Sequence, residues 1–351
     1  MNKVLPEFTK LLMKWYRDNA RDLPWRHTKD PYKIWMSEIM LQQTTVATVI
    51  PYWNKWVKKF PTIDHVARAK ETTILKMWQG LGYYNRARNI HKAAKLIVKE
   101  FNSEVPKDPA VLLTLPGFGS YTVGAVLSIA HDQRLPIIDA NVRRVIMRIY
   151  AIKGLADAKQ DNIIFPYLQE LLPYKRLDIF NQALMELGAL ICPSQSPQCL
   201  RCPVRSLCKA YEQGIQEVIP ETKKKVIKDI YASIAVIENK GKYFIQQRTG
   251  KGLLSGLWEF PGGKIEGSET PERALIREVR EEIDVVVEET EFLMKVKHYY
   301  TQFRVNLNVY ACKVKSLPKE DSTHKWVNLK KLTQFPMPSG SVKIVDKLLK
   351  M

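Results

Sequence analysis

The sequence predicts two domains, an all-helical one followed by a smaller domain that mixes helices and strands. From Phe8 to about Tyr211, apolar residues recur at the three- and four-residue spacing of helices. Beyond a charged, proline-containing stretch around Pro220 the period changes to the alternation of strands, most cleanly over 303–310. A chain of 351 residues is also too long for one typical core. We therefore expect a helical domain over 1–215, a linker over 216–229 and an α+β domain over 230–351.

The chain is strongly basic, with a formal net charge of +19 that comes mostly from its first 229 residues. This favours a polyanionic partner, because lysine and arginine contacts to phosphates release counterions; a generally basic proteome is the alternative. No apolar run approaches the roughly 18 residues of a membrane span, and the first residues lack the apolar core of a signal peptide. We expect a cytoplasmic, monomeric protein with no membrane partner.

Four of the five cysteines fall within seventeen residues, with the spacing C-x6-C-x2-C-x5-C. They are Cys192, Cys199, Cys202 and Cys208. Since cytosolic thiols stay reduced, such a dense set indicates metal binding. Zinc ribbons use two C-x2-C pairs and only one is present, while four thiolates on one loop equally suit a [4Fe–4S] cluster. The spacing leaves both open. We expect the fifth, Cys312, to be a small buried side chain.

A second local pattern is the sequence Leu115-Pro116-Gly117-Phe118-Gly119, which precedes a helical run. It predicts a tight hairpin before a helix N-terminus, whose N–H groups could hold a phosphate. An ordinary corner between two helices would have the same pattern. About twenty residues later Asp139 begins another helix, where an acid is most simply an N-cap.

Together, the hairpin, this aspartate and the cysteine loop resemble the helix-hairpin-helix glycosylase superfamily. The segments Ser37–Thr44 and Gly80–Asn89 are similar to the MutY family of adenine glycosylases, over about residues 6–210. The second domain resembles the Nudix-like lesion-recognition domain of that family. The resemblance implies a [4Fe–4S] cluster on the cysteine loop (192–208). It also implies a bacterial base-excision-repair enzyme, acting at the nucleoid, that removes adenine opposite 8-oxoguanine or guanine from double-stranded DNA.

The chemistry of this reaction calls for two carboxyl groups with different protonation. Adenine leaves poorly as an anion, so one acid must protonate it and one carboxylate must stabilise the cationic sugar. Glu38 lies among apolar residues that would raise its pKa, whereas a helix N-terminus favours Asp139 as the anion. The resemblance implies the same roles and places Tyr121 and Asn141 beside them. A tyrosine cannot form the Schiff base of the lysine found in the endonuclease III group, so we expect a monofunctional glycosylase.

The resemblance also implies DNA contacts in both domains, since the target base must leave the stack. Gln43 and Tyr83 match residues that wedge into the duplex, and Thr44 matches one near the opposite base. The other predicted contacts are Arg26, Arg86, Gly117 and Gly119 in the first domain and Tyr300, Thr301 and Gln302 in the second. The last three stand where bacterial members commonly have Phe-Ser-His, so an aromatic ring and a hydroxyl are kept.

The second domain carries a nearly complete Nudix box over 263–282, in which Asp284 replaces the final glycine. Glu278, Glu281 and Glu282 fall on one face of a helix and would suit Mg²⁺.

Two interpretations of this box remain: an added pyrophosphohydrolase activity, or a loop–helix scaffold whose acids pair with Arg277 and Arg280 or face solvent. We favour the scaffold, because of Asp284 and because residues 335–340 lack the asparagine that the hydrolase MutT uses to hold its base. A non-catalytic lesion-binding protein is the third hypothesis. The presence of both Glu38 and Asp139 argues against it.

Overall fold

The computed structural model describes residues 4–222, 227–250, 252, 254–300 and 302–351. These residues form two compact units, each built from two stretches of chain. The first unit takes the described residues of Met1–Arg68 and Asn89–Lys224, and the second takes Ala69–Arg88 and those of Lys225–Met351. The early segment 69–88 therefore packs within the second unit. The linker predicted over 216–229 includes residues 223–226, which lie outside the described residues.

The amino-terminal part of the chain is helical, as the apolar spacing predicts. Its helices are α1 (Val4–Asn19), α2 (Pro31–Leu41), α3 (Val46–Lys59), α4 (Ile63–Arg68), α5 (Glu71–Trp78), α6 (Asn85–Glu100), α7 (Pro109–Thr114), α8 (Ser120–His131), α9 (Ala140–Ile149), α10 (Asp161–Leu171), α11 (Leu177–Leu190) and α12 (Lys209–Glu212). A core cluster joins α1, α9, α10 and α11, with Phe8, Ile146 and Phe180 at or near zero exposure. Among the described residues, no helix is both long and apolar enough to cross a membrane.

The predicted hairpin lies between α7 and α8 and is fixed to α2 by an aromatic contact. Gly117 has a φ of 85°, and a Cβ there would lie 3.1 Å from the Cβ of Asn89, so the turn requires glycine. Phe118 is buried and stacks on Trp35 of α2, with ring centroids 4.6 Å apart. Because Trp35 and Glu38 are three residues apart on one helix face, the hairpin packs beside the carboxyl group.

Arg26, a predicted DNA contact, lies in a short 3₁₀ turn and is bound within the protein. Its guanidinium contacts the buried carboxylate of Glu186 at 2.8 Å and covers the ring of Tyr16 at 5.3 Å. Arg21 binds the same carboxylate at 2.7 Å. Burial alone would raise the pKa of Glu186, but the hydrogen bonds from Arg21 and Arg26 lower it to about 2. Arg26 therefore has a structural partner, and its contact to DNA stays a prediction.

The second unit contains a mixed sheet with helices on both faces. Its elements beyond the linker are β1 (Lys228–Asn239), β2 (Lys242–Gln247), β3 (Trp258–Glu259), β4 (Gly262–Lys264), α13 (Pro271–Ile283), β5 (Val287–Tyr300), β6 (Phe303–Val314), β7 (His324–Asn328), α14 (Leu329–Leu332) and α15 (Ser339–Leu348). The strand order is β3-β2-β1-β6-β5, with β4 on β1 and β7 on β2, and β1 runs parallel to β6.

The alternation predicted for β6 is present and separates two apolar cores. Leu307 and Val309 belong to the core that includes Ile344 of α15. Tyr310 and Cys312 belong to the core that includes Leu275 of α13. The prediction that Cys312 is buried is confirmed, since its exposed fraction is 6%.

Candidate active site

Glu38 is a buried carboxyl group on α2. Its exposed fraction is 4%, and every residue of α2 from Ile34 to Met40 is buried. Burial raises the pKa of Glu38 to about 7, even though a hydrogen bond from Tyr121 lowers it. The raised pKa expected from the apolar neighbours is therefore found. A carboxyl group with this pKa carries a proton in a large fraction of molecules at neutral pH.

Tyr121 lies in the first turn of α8, directly after the hairpin, and its hydroxyl donates to Oε2 of Glu38. Burial first, and the nearby carboxyl groups of Glu38 and Asp139 second, raise the pKa of this phenol well above its ordinary value. Tyr121 is therefore a neutral hydrogen-bond donor that fixes one oxygen of the acid.

Asp139 is the N-cap of α9, as its position predicted. Its Oδ1 accepts the N–H of Val142 at 2.6 Å and its Oδ2 accepts the side-chain amide of Asn141 at 2.9 Å. The sequence led us to expect a helix terminus that favours the anion. Burial outweighs these hydrogen bonds, however, and raises the pKa of Asp139 above its ordinary value. The helix terminus therefore orients this carboxyl group but does not by itself keep it strongly acidic.

Arg144 connects this carboxyl group to the cysteine loop, a role that the sequence reasoning missed. Its Nη2 donates to Oδ1 of Asn141 and to the carbonyl of Gly188, both at 2.8 Å, and its Nε donates to the carbonyl of Cys192 at 2.7 Å. A Cβ at Gly188 would lie 2.6 Å from the Cβ of Asn141, so a glycine lets α11 approach. The spacing of Asn141 and Arg144, three residues apart on a helix, was the available signal.

The four clustered cysteines have free thiols and line one cavity. Apolar side chains of α9 and α11, such as Val145 and Leu187, form part of its wall. Arg148 reaches Sγ of Cys192 at 3.1 Å and donates to the carbonyl of Pro193 at 2.7 Å. Four thiols that face one partly apolar cavity fit a group that needs four thiolate ligands. In the described part of the chain, no three potential ligands are grouped as they would be around a single ion.

The two predicted wedge residues share an uncommon backbone conformation. Gln43, an exposed residue just after α2, has a φ of 58°, and Tyr83, between α5 and α6, has a φ of 48°. Left-handed backbone at residues with large side chains is rare and concentrates at functional positions. Thr44 follows in the same turn as Gln43 and is half-buried, and the hairpin glycines Gly117 and Gly119 are exposed.

Arg86, another predicted DNA contact, stabilises the turn that carries Tyr83. Its Nη2 donates to the carbonyls of Leu81 and Gly82, at 3.0 and 3.2 Å. Its guanidinium lies 5.2 Å from the ring centroid of Trp78 and 5.5 Å from that of Tyr83. The indole N–H of Trp78 also donates to Gly82, at 3.0 Å. A contact of Arg86 with DNA stays a prediction.

The predicted lesion-recognition residues follow β5. Tyr300 ends this strand, but its side chain and the whole of Thr301 lie outside the described residues. Gln302 accepts the N–H of Lys228 at its carbonyl oxygen, at 2.8 Å, which joins the turn to the start of β1.

The carboxylates of the Nudix box are engaged within the protein. Arg277 contacts Glu278 at 3.0 Å and Glu281 at 3.2 Å. Glu282 accepts the N–H of Gly262 in β4 at 2.9 Å and the amide of Gln246 in β2 at 2.5 Å, so it joins both strands to α13.

Asp284, which replaces the final glycine of the box, ends α13 with a φ of 50°. Aspartate tolerates this left-handed conformation better than most residues, so the turn keeps its shape without glycine. Arg280 contacts Asp284 at 3.3 Å. The pairing of box acids with Arg277 is what the scaffold interpretation predicts, and Arg280 pairs with the substituted position instead.

Comparisons with known proteins agree with this architecture. The model of the HhH-GPD superfamily base excision DNA repair proteins matches residues 36–170, and the NUDIX domain model matches residues 233–347. An adenine DNA glycosylase of Buchnera aphidicola subsp. Schizaphis graminum is 35% identical over 347 residues, covering 97% of this chain and 98% of the relative. The chain belongs to the adenine DNA glycosylase family. The adenine DNA glycosylase of Homo sapiens is 33% identical, with 87% of this chain and 66% of the human protein covered.

Solved structures support the same fold. A thermostable thymine-DNA glycosylase is 29% identical with a TM-score of 0.55, covering 60% of this chain and 98% of that one. A non-covalent endonuclease III–DNA complex is 23% identical with a TM-score of 0.52, covering 62% of this chain and 100% of that one, and it supports the fold alone. The predicted helix-hairpin-helix domain followed by a Nudix-like domain is therefore confirmed. This enzyme is a base-excision-repair glycosylase.

The bridge through Arg144 predicts a specific loss of activity. Arg144→Gln should lower single-turnover base excision by about tenfold or more, because Asn141 loses the partner that orients its amide toward Asp139. Arg143→Gln is the matched control, since Arg143 lies on the same helix but pairs with Asp161 at 2.7 Å. Equal losses in both variants, or a loss below about threefold in Arg144→Gln, would contradict a positioning role.

Proposed function

We propose that this glycosylase hydrolyses the N-glycosidic bond of adenine opposite 8-oxoguanine or guanine in double-stranded DNA. The observation that carries the proposal is the pair of buried carboxyl groups, Glu38 and Asp139, which lie near enough for the charge of Asp139 to raise the pKa of Glu38. Glu38 is buried with a pKa of about 7, and Asp139 is held by two hydrogen bonds at 2.6 and 2.9 Å. One group is suited to donate a proton and the other to face a cation, which is the division that adenine removal requires.

In this proposal Glu38 protonates adenine at N7 and Asp139 stabilises the oxocarbenium ion. The Tyr121 hydroxyl holds Oε2 of Glu38, so the other oxygen is the one oriented for proton transfer. Burial raises the pKa of Asp139 in the free protein, but a cationic sugar beside it would lower that pKa again. The carboxylate would thus be most stable as an anion when the transition state forms.

Tyr121 also supports a monofunctional reaction. Its neutral phenol occupies the position at which endonuclease III relatives use a lysine amine, and a phenol cannot form a Schiff base. We therefore propose that strand cleavage needs added alkali.

The proposed partner is duplex DNA, engaged by both units. In the first unit Gln43 would wedge into the stack, Thr44 would lie near the opposite base and the exposed hairpin glycines would bind phosphate through backbone N–H groups. In the second, Tyr83 would be the other wedge and residues 300–302 would contact the lesion. The net charge of +19 supports such a partner. We propose a monomer that acts in the cytoplasm.

We propose further that Cys192, Cys199, Cys202 and Cys208 hold a [4Fe–4S] cluster. When bound, such a cluster would cross-link the loop through four thiolates. The carbonyl of Cys192 accepts from Arg144, so an ordered loop would also keep Arg144 in place behind Asn141. The sequence spacing left zinc open, and metal analysis separates the two.

The non-catalytic alternative has little support in the site. A protein that only binds lesions has no need of a buried carboxyl group with a raised pKa. Such a strongly shifted pKa is typical of a catalytic site. We propose that the Nudix box is a scaffold without Mg²⁺-dependent hydrolysis, because Arg277 and Gly262 already engage its glutamates.

Glu38→Gln should abolish adenine excision in single turnover while duplex binding is kept. In the wild-type enzyme the rate should fall by about tenfold for each pH unit above 7, because the protonated fraction of Glu38 falls as pH rises through its pKa. Because the pKa of Glu38 is higher in the folded protein than in the unfolded one, its protonation stabilises the fold at low pH, and this stabilisation is lost as the pH rises through 7. At pH 8 the urea midpoint of Glu38→Gln should therefore be at least as high as that of wild type. Excision within about tenfold of wild type would mean that another group is the acid.

Protein purified without oxygen should contain about four iron atoms per chain and absorb near ~400 nm. Cys202→Ser should lose most of the iron, while Cys312→Ser, in the core of the second unit, should retain it. Stoichiometric zinc without iron in the wild-type protein would overturn the cluster assignment.

If the Nudix box is a scaffold, Glu281→Gln should leave adenine excision within about twofold of wild type, because this side chain is 60% exposed and makes a single surface pair. Neither 8-oxo-dGTP nor dGTP should be hydrolysed with Mg²⁺ present. Mg²⁺-dependent turnover by the full chain that is lost on Glu282→Gln would show that the box is active.

A further inference from the structure

The segment 69–88 carries the wedge candidate Tyr83 and packs within the second unit. Its partner there is the 335–337 loop, Phe335-Pro336-Met337, which joins α14 to α15. This loop belongs to the core of the second unit: Met337 is 2% exposed, and Phe335 makes an edge contact with Trp258 at 5.2 Å.

In the described part of the chain, hydrogen bonds join the segment to Phe335 and Met337, the two loop residues that flank Pro336. Lys76 Nζ donates to the carbonyl of Phe335 at 3.2 Å, and the Tyr84 hydroxyl donates to the carbonyl of Met337 at 3.2 Å. The N–H of Met337 donates to Oε1 of Gln79 at 3.3 Å, and Lys76 also binds that oxygen, at 2.8 Å.

The remaining carbonyl of the loop ties it to the sheet. Pro336 accepts the N–H of Trp258 in β3 at 2.8 Å. Each of the three loop carbonyls therefore has a donor, and two of those donors come from the early segment.

These contacts bracket the turn of the wedge candidate. Lys76 and Gln79 precede the sequence Gly80-Leu81-Gly82-Tyr83, and Tyr84 follows it. Between them, Tyr83 has a φ of 48°, a conformation that a large side chain keeps only when its surroundings fix it. The 335–337 loop supplies fixed points at both ends of this strained turn.

We propose that the 335–337 loop is a positioning element that holds Tyr83 in its wedge conformation, so that duplex opening depends on the carboxyl-terminal unit. The inference rests on the proposed function, since it takes Tyr83 as a wedge. The 335–337 loop lacks the asparagine with which MutT holds its base. In this enzyme the loop carbonyls hold a segment of the protein's own chain.

The test compares Tyr84→Phe, which deletes only the hydroxyl on Met337, with Tyr310→Phe. Tyr310 is an equally buried tyrosine of the same unit whose hydroxyl donates to Glu272 at 2.8 Å, away from the loop. Both variants are made in a Glu38→Gln background, so that the target base is not excised from the bound DNA. A duplex with 2-aminopurine in place of the target adenine, opposite 8-oxoguanine, reports extrusion as a rise in fluorescence.

Tyr84→Phe should reduce the fraction of extruded base by about three- to tenfold, the effect of losing one hydrogen bond that leaves a buried carbonyl without its donor. Tyr310→Phe should extrude the same fraction of base as the Glu38→Gln protein without a tyrosine substitution. Unfolding midpoints in urea for the two tyrosine variants should agree, which separates positioning from general loosening. Lys76→Met, which removes the donor to Phe335, provides a second variant and should lower extrusion in the same direction.

An unchanged fluorescence rise in both Tyr84→Phe and Lys76→Met would overturn the inference, and so would an equal reduction in Tyr310→Phe. The proposed function is tested separately, by measuring adenine excision from an A:8-oxoguanine duplex with the wild-type protein. Failure of that assay contradicts the function, whereas normal excision with unchanged extrusion in the variants contradicts only the role of the loop.

Discussion

The burial of Glu38 against the Tyr121 hydroxyl is the interaction on which the site depends. Water would return this carboxyl group to an ordinary pKa, so the proton can be retained only if α2 stays packed against the hairpin and α8. The stack of Trp35 on Phe118 provides that packing one helical turn from the acid. Gly117 allows the hairpin to turn tightly enough to bring Tyr121 within hydrogen-bonding distance. Fold and acid strength are therefore set by the same contacts.

The second carboxyl group is controlled by polar contacts instead. Asp139 is oriented by Asn141, Asn141 by Arg144, and Arg144 by the carbonyl of Cys192. Each group in this series of hydrogen bonds is partly or fully removed from water, so the loss of one partner leaves the next group without that hydrogen bond. The cysteine loop, which is remote in sequence from the aspartate, thereby becomes part of the support of the site.

The sequence was most informative where a local pattern determines the outcome. Apolar neighbours predicted the raised pKa of Glu38, and alternation predicted β6 with Cys312 in the core. It was uninformative where two distant segments meet. The packing of 69–88 on the 335–337 loop uses backbone carbonyls, which any residue supplies and no motif marks. The net pKa of Asp139 also escaped prediction, because helix position is visible in sequence but the depth of burial is not.

Glu38 should hold a proton near neutral pH in the folded enzyme. Infrared difference spectroscopy of protein with isotope-labelled glutamate, compared with Glu38→Gln, can follow this one carboxyl group through a pH titration. A protonated carbonyl band that disappears with a midpoint near pH 7, and that is absent in the variant, is the expected result. A midpoint at the ordinary value for glutamate, about 4.3, would contradict the assignment of Glu38 as the acid.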